Sequence, residues 1–275
     1  MHPLAITGQY APGARGKFAG WTFQLSNFLL AAGFLAAFCA VGTGAAANWP
    51  EAVLIVLATA GTLVALARQL PTQNVLLAAL LCAVIGGVAH ILGVTSGIPF
   101  GPLMIGADAG LKLFGTLPWA MPLLWVVAVL NSRGVARLIL RPWRKIRAYG
   151  FWLIGLTALF TMLFDCALEP FASHAKHYWI WTAGGISLTP QGAPASNSVG
   201  WFILTLLILA FATPVMINKQ LSRRSVPDIH PLTVWLGAIL LFATGTAQHG
   251  LWPAAAADAI IFLGVTVFAI RGARW

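Results

Sequence analysis

Apolar residues in this chain neither alternate nor keep to one helical face; they run. Eight predominantly apolar stretches occupy roughly 22–41, 51–68, 75–94, 117–136, 149–169, 200–218, 231–249 and 254–271, and the segments between them hold most of the charges. About 18 or more successive apolar residues suffice to cross a bilayer as a helix. A helix that is apolar all round faces lipid or a core rather than water. The pattern predicts an all-α fold: a polytopic membrane helix bundle of about eight transmembrane helices, with residues 1–275 forming a single integral membrane domain. Gly86-Gly87 interrupts the third run and Pro214 the sixth, breaks that membrane helices tolerate where neighbours satisfy the backbone. The first 20 residues lack the apolar core and small-residue cleavage site of a signal peptide, so no removed leader is expected.

Charge orients the bundle. Only 8% of residues are charged, against about 25% in a typical soluble domain. With the N-terminus placed inside, fourteen Lys and Arg fall on inner segments, the densest being Arg133, Arg137, Arg141, Arg144, Lys145 and Arg147; Lys112 and Lys176 fall outside. This is the positive-inside bias, and it predicts both ends in the cytoplasm (N-in/C-in) of a bacterial or archaeal cytoplasmic membrane. The net charge of +10 therefore belongs to topology, with the lipid bilayer as partner and no nucleic acid. Cys39, Cys82 and Cys166 lie in or beside apolar runs without CxxC spacing and read as packing residues. His174-x-x-His177 lacks a third ligand nearby, so no metal is expected. Phosphate loops, nucleophile elbows and HExxH are absent, and no cofactor is called for.

The acids oppose the cations. Glu51, Asp108, Asp165, Glu169 and Asp258 fall at or near the outer side, and only Asp228 inside. His90, His249, His174 and His177 fall on the outer side too. An outer polar pocket is the expectation, with Gln248, His249 and Asp258 as further candidates to line it. Within it, Asp165 and Glu169 are four residues apart, in Phe164-Asp-Cys-Ala-Leu-Glu-Pro170, and positions i and i+4 share a helix face. Carboxyls at membrane depth are costly and usually functional, so the pair is a candidate for general acid–base work. A structural pair, bonded to the backbone of the following loop, is the competing reading. Pro170 disfavours helical geometry at the residue before it, which predicts a helix end at Glu169, an interfacial Glu169 and a deeper Asp165. His90 reads as a proton donor, a metal ligand or an interhelix hydrogen-bonding group. Asp108 and Lys112 have ion-pair spacing.

Two outer segments stand out. Residues 95–116 are glycine-rich yet apolar, which predicts a segment packed back on the bundle as a re-entrant or capping element. Residues 170–199 carry Trp179-Ile-Trp181. Most of the twelve tryptophans fit interfacial belts, whereas Trp125 lies inside the fourth run and is a candidate to line a ligand cavity.

Several stretches occur in an order that resembles a known family. They are His90-Ile-Leu-Gly-Val-Thr-Ser-Gly-Ile-Pro-Phe-Gly101, Leu113-Phe-Gly-Thr-Leu-Pro-Trp-Ala-Met-Pro-Leu-Leu-Trp125, Phe164-Asp-Cys-Ala-Leu-Glu-Pro170, Trp179-Ile-Trp181 and Gly192-Ala-Pro-Ala-Ser-Asn-Ser-Val-Gly-Trp201. Over residues 90–201 the chain resembles the membrane carotenoid biosynthesis proteins, which include carotenoid 1',2'-hydratases and bisanhydrobacterioruberin hydratase. It departs from their pattern at His90, where the family carries Glu, at Pro102-Leu103-Met104, where tyrosines are usual, and at Glu169, where the family has Asp. The resemblance implies addition of water to the terminal 1',2' double bond of an acyclic-end carotenoid such as lycopene or γ-carotene. It implies no cofactor, a membrane-embedded carotenoid as substrate, and other carotenoid biosynthesis enzymes as partners. On this reading Asp165 is the candidate proton donor, Glu169 or His90 positions or deprotonates the water, and Asp108 is a weaker alternative. Phe100, Trp125, Trp179, Trp181, Asn197 and Trp201 are the candidate substrate-binding residues, with Trp125 and Trp181 as shields for a carbocation.

Two other readings stay open. One is a small-molecule transporter or permease with outer-facing proton-coupling acids, which the lack of an internal repeat disfavours. The other is a membrane protein that binds carotenoid or lipid without chemistry.

Overall fold

Eight helices in the computed structural model, which describes residues 14–43, 49–182, 186, 193–217 and 227–275, are long and apolar enough to cross a membrane. They are α1 (Ala14–Gly42), α2 (Trp49–Ala67), α3 (Thr72–Ser96), α4 (Met121–Ile139), α5 (Tyr149–Pro170), α6 (Ala195–Ala212), α7 (His230–Gln248) and α8 (Trp252–Ala273). α4 is the hub and touches α2, α3, α5, α7 and α8. It is also the most buried helix, whereas α1 and α8 face largely outward. Six tryptophans (Trp21, Trp49, Trp143, Trp152, Trp252 and Trp275) are exposed.

Both ends of the bundle are tied. At the inner end the Gln69 amide donates to Asp228 Oδ2 at 2.6 Å, Asn74 Nδ2 to the Val215 carbonyl at 2.9 Å, and Arg133 Nη2 to the Met216 carbonyl at 3.3 Å. The expected inner cations Lys219, Arg223 and Arg224, and the side chains of Arg15 and Lys17, lie outside the described residues, as do Gly184, Gly185 and Gly192. At the outer end the segment after α3 forms β1 (Leu103–Ile105), which pairs antiparallel with β4 (Trp179–Trp181), in the register Leu103 to Trp181. A small hairpin of β2 (Lys112–Leu113) and β3 (Leu117–Pro118) follows β1. The apolar outer segment is thus a cap rather than a re-entrant loop.

Several features of the helices differ from expectation. α3 runs unbroken through Gly86-Gly87. Gly86 is there because the Trp125 indole of α4 lies against its Cα, where a Cβ would overlap the ring. Small residues at such crossings let membrane helices approach closely. α4 begins at Met121, with β3 ahead of it. α6 starts five residues before the apolar run suggests, because Pro194 leads directly into a first turn built of Ala195-Ser-Asn-Ser. It ends at Ala212, so Pro214 terminates the helix in a 3-10 turn rather than interrupting it.

The largest correction concerns Pro170. α5 does not end at Glu169: Pro170 is helical (φ −61°, ψ −35°), and a π-helical turn, Phe171–Ala175, continues the axis. Proline removes one N–H from the ladder, and a π turn is a usual way to absorb such a local mismatch. Lys176 N closes that turn on the Phe171 carbonyl at 2.9 Å. The packing gained offsets the local cost: Phe171 fits against Gly245 of α7, where a Cβ would collide with its ring, and its ring lies 5.5 Å from that of Phe242. Gly86→Ala should destabilise the protein by about 1–3 kcal/mol through overpacking, read as a lower unfolding temperature in detergent, whereas alanine at Gly155, where nothing lies within 4 Å of the added atom, should not lower it.

Candidate active site

Continuing α5 through Pro170 buries both carboxylates. Asp165 is fully buried and Glu169 is 3% exposed, so Glu169 is not the interfacial residue the proline suggests. Both face the first turn of α6. There the Asn197 amide donates one bond to Asp165 Oδ2 at 2.8 Å and one to Glu169 Oε1 at 3.2 Å. A carboxamide has two N–H donors, and Asn197 spends both on the pair. The other Glu169 oxygen, Oε2, accepts the indole N–H of Trp179 and of Trp181, each at 3.0 Å. These indoles come from alternate positions of β4, which β1 holds in place. The backbone of the turn is served by Ser173 Oγ, which donates to the Glu169 carbonyl at 2.6 Å. The pair therefore takes side-chain donors rather than loop backbone. Asp165 Oδ1 has no hydrogen-bond partner although it is buried. Beside the pair, Cys166 Sγ meets Ser198 Oγ at 3.4 Å.

A second group of the sequence-named residues assembles elsewhere. His90, Phe100, Trp125 and Trp201 pack together between α3, α4, α6 and the segment after α3. Trp125 stacks on Trp201 with ring centroids 3.8 Å apart, and His90 lies 4.6 Å from Phe100. Trp125 Nε1 donates to His90 Nδ1 at 3.1 Å, which makes that nitrogen an acceptor and His90 an interhelix hydrogen-bonding group. All four are buried, and Trp125 is not a wall of the apolar cavity under the outer cap.

An apolar cavity of about 410 Å³ lies between α1, α2, α4, α5 and α7 under the outer cap, within the range of small-molecule sites. Its walls are apolar, with Phe34, Phe164, Leu168, Phe171 and Phe242 among them. Of the candidate catalytic and substrate-binding residues proposed from sequence, only Asp108 and Trp179 line it. Trp179 joins the two features: it lines the cavity and its indole nitrogen holds Glu169. Glu51 and Tyr178 also line it, and sequence reasoning did not single them out as site residues; the available signal was an acid in the first turn of an otherwise apolar helix. Burial, with Glu51 and then Asp108 adding to it, pushes the Tyr178 hydroxyl well above the usual phenol range. Glu51 pairs with Lys176 at 2.6 Å, and Lys112 donates to the Ile105 carbonyl at 3.1 Å. Gln248 and His249 are exposed, Asp258 is buried, and none of them reaches this cavity. Among the described residues no three His, Cys, Asp or Glu converge on a metal position.

Eight helices long and apolar enough to cross a bilayer define an integral membrane protein. Residues 51–265 match the family described as carotenoid biosynthesis protein, and the chain belongs to that family. The match extends on both sides of the 90–201 stretch that carried the resemblance, and it gives the protein a role in carotenoid biosynthesis. The chain is similar to the bisanhydrobacterioruberin hydratase of Haloarcula japonica, at 33% identity over 174 residues, 59% of this chain and 55% of that protein. The chain thus spans about half the length of the curated relative it matches. No solved structure matches it. Removing the shared donor with Asn197→Leu should cost about 2–6 kcal/mol, since each of two buried carboxyl oxygens left unsatisfied costs about 1–3 kcal/mol. Chemical unfolding in detergent reads this, with Ser198→Ala as the milder neighbour.

Proposed function

We propose that the protein hydrates the terminal 1',2' double bond of an acyclic-end carotenoid such as lycopene or γ-carotene. The observation that carries this reading is that Trp179 is both a wall of the apolar cavity and a donor to Glu169, so one indole separates a hydrocarbon end group in the cavity from the carboxylate pair. Protonation at C2' uses the alkene π electrons to form the new C–H bond and leaves a tertiary cation at C1'. Water oxygen adds to C1', and the proton it sheds returns to the carboxylate pair, so no redox partner is needed and the pair is regenerated.

The roles divide by hydrogen bonding. Asp165 is the proton donor, because its Oδ1 takes no hydrogen bond from the protein and is free to carry the proton. Glu169 is the acceptor, because three N–H donors on its two oxygens favour the anion. His90 is left out of the proton path, its Nδ1 being taken by Trp125. The Trp179 ring, a wall of the cavity, supplies a negative face to a cation, worth about 0.5–2 kcal/mol. A hydrocarbon substrate dissolved in the bilayer accounts for a protein made almost wholly of membrane helices.

Expression in a lycopene-producing bacterium, with mass spectrometry of the pigment, should show a gain of one water per modified end. Asp165→Asn should lower that conversion by about 10²-fold or more, the usual scale of general acid catalysis. Unchanged pigment with the wild-type protein present in the membrane removes the reading, and full conversion by Asp165→Asn removes the proton-donor role.

A further inference from the structure

The polar groups of the cavity are gathered at one end. Its depth is hydrocarbon and aromatic, while Glu51, Asp108 and Tyr178 stand at the outer rim. Glu51 comes from the first turn of α2, Asp108 from the 3-10 turn Ala107–Ala109 after β1, and Tyr178 from the residue before β4. Three separate chain segments thus converge on one rim.

Glu51 is the group least served by the protein. Lys176 Nζ approaches its Oε1 at 2.6 Å, yet both carboxylate oxygens are buried and neither takes a hydrogen bond of good geometry. Buried acceptors of this kind gain when a neutral O–H reaches them, and bonds to a charged acceptor are the stronger class. The charges at the rim choose among possible head groups. Glu51 and Asp108 put two acids at the rim, which disfavours a carboxylate or phosphate head. Tyr178, kept as a phenol by burial and by the nearby charges of Glu51 and Asp108, offers a further donor. The rim therefore suits a neutral hydroxyl that both gives and accepts a hydrogen bond.

We propose that this rim is a hydroxyl-binding site: the cavity holds an isoprenoid alcohol with its hydrocarbon chain in the apolar depth and its hydroxyl donating to Glu51. The isoprenoid class rests on the carotenoid reading above, whereas the hydroxyl preference does not depend on hydration taking place. A tertiary alcohol formed at the end of a carotenoid belongs to this ligand class, so the rim would hold the product head group, or a hydroxyl the substrate already carries.

The test uses the purified full chain in lipid nanodiscs. Trp49, Trp119 and Trp179 line the cavity and report binding by fluorescence. Geranylgeraniol is titrated against the hydrocarbon of the same chain and against the corresponding carboxylic acid, each at matched mole fraction in the lipid. The alcohol is expected to bind about tenfold or more tighter than the hydrocarbon, the scale of one hydrogen bond to a charged group, and tighter than the acid. Glu51→Leu should bring the alcohol down to the level of the hydrocarbon. Equal binding of alcohol and hydrocarbon by the wild-type protein overturns the proposal, as does an undiminished preference in Glu51→Leu. Should that variant not reach the membrane, the wild-type comparison decides alone. A preference for the alcohol without any hydration of lycopene would keep this site and discard the hydratase reading.

Discussion

One carboxamide with two hydrogens holds this structure's costliest groups. Two carboxyls on one face of a membrane helix need donors that the bilayer cannot supply, and unmet each would cost several kcal/mol. Asn197 meets both, and the two indoles of β4 complete Glu169. Much else follows from keeping those donors in reach. α6 must begin early enough to present Asn197 in its first turn. β4 must be pinned by β1 so that Trp179 and Trp181, two residues apart, both point to the same oxygen. α5 must stay helical past Pro170, or Glu169 would swing out of range.

That last requirement explains a local rule being broken. The residue before a proline disfavours helix, yet Glu169 is helical and buried. The π turn after Pro170 is held by Phe171 in the notch at Gly245, by Ser173 on the Glu169 carbonyl, and by the Lys176–Glu51 pair to α2. These three attachments reach α7, α5 itself and α2. They make the end of α5 a junction of the outer bundle rather than a loose helix end, and the same junction forms one end of the cavity.

Most of the architecture was legible because it rests on one-dimensional quantities. Eight apolar runs and a lopsided Lys/Arg count need no knowledge of which helix meets which, and the aligned Asp165 and Glu169 follow from helical spacing alone. What escaped is pairwise. Asn197 looked like loop because Ala-Pro-Ala-Ser-Asn-Ser is polar, and nothing local says that its amide will meet carboxylates 28 and 32 positions away. Trp125 looked like a cavity wall because an aromatic residue in mid-span has two uses; Gly86, 39 positions earlier, decides for packing, and it was legible only as an interruption. Glu51 was seen as an outer acid, but its place on the cavity depends on α2 lying beside α4 and α7, which composition does not carry.

The separation of the two polar centres has a chemical logic. An acid strong enough to protonate an alkene must be kept from open water, and a group that binds water or a hydroxyl must be able to meet it. In the proposed reaction the Asp165–Glu169 pair meets the first condition, enclosed by α5, α6 and β4. Glu51 and Asp108 satisfy the second, at the end of the cavity nearest the outer face. Between them stands Trp179, whose ring lies on the cavity and whose N–H lies on Glu169. Any change in the charge of Glu169 alters the pull on that indole, and any ligand that presses on the ring alters the donor Glu169 feels. Occupancy of the cavity and the proton affinity of the pair are therefore linked through one side chain, and by linkage the influence runs equally in both directions.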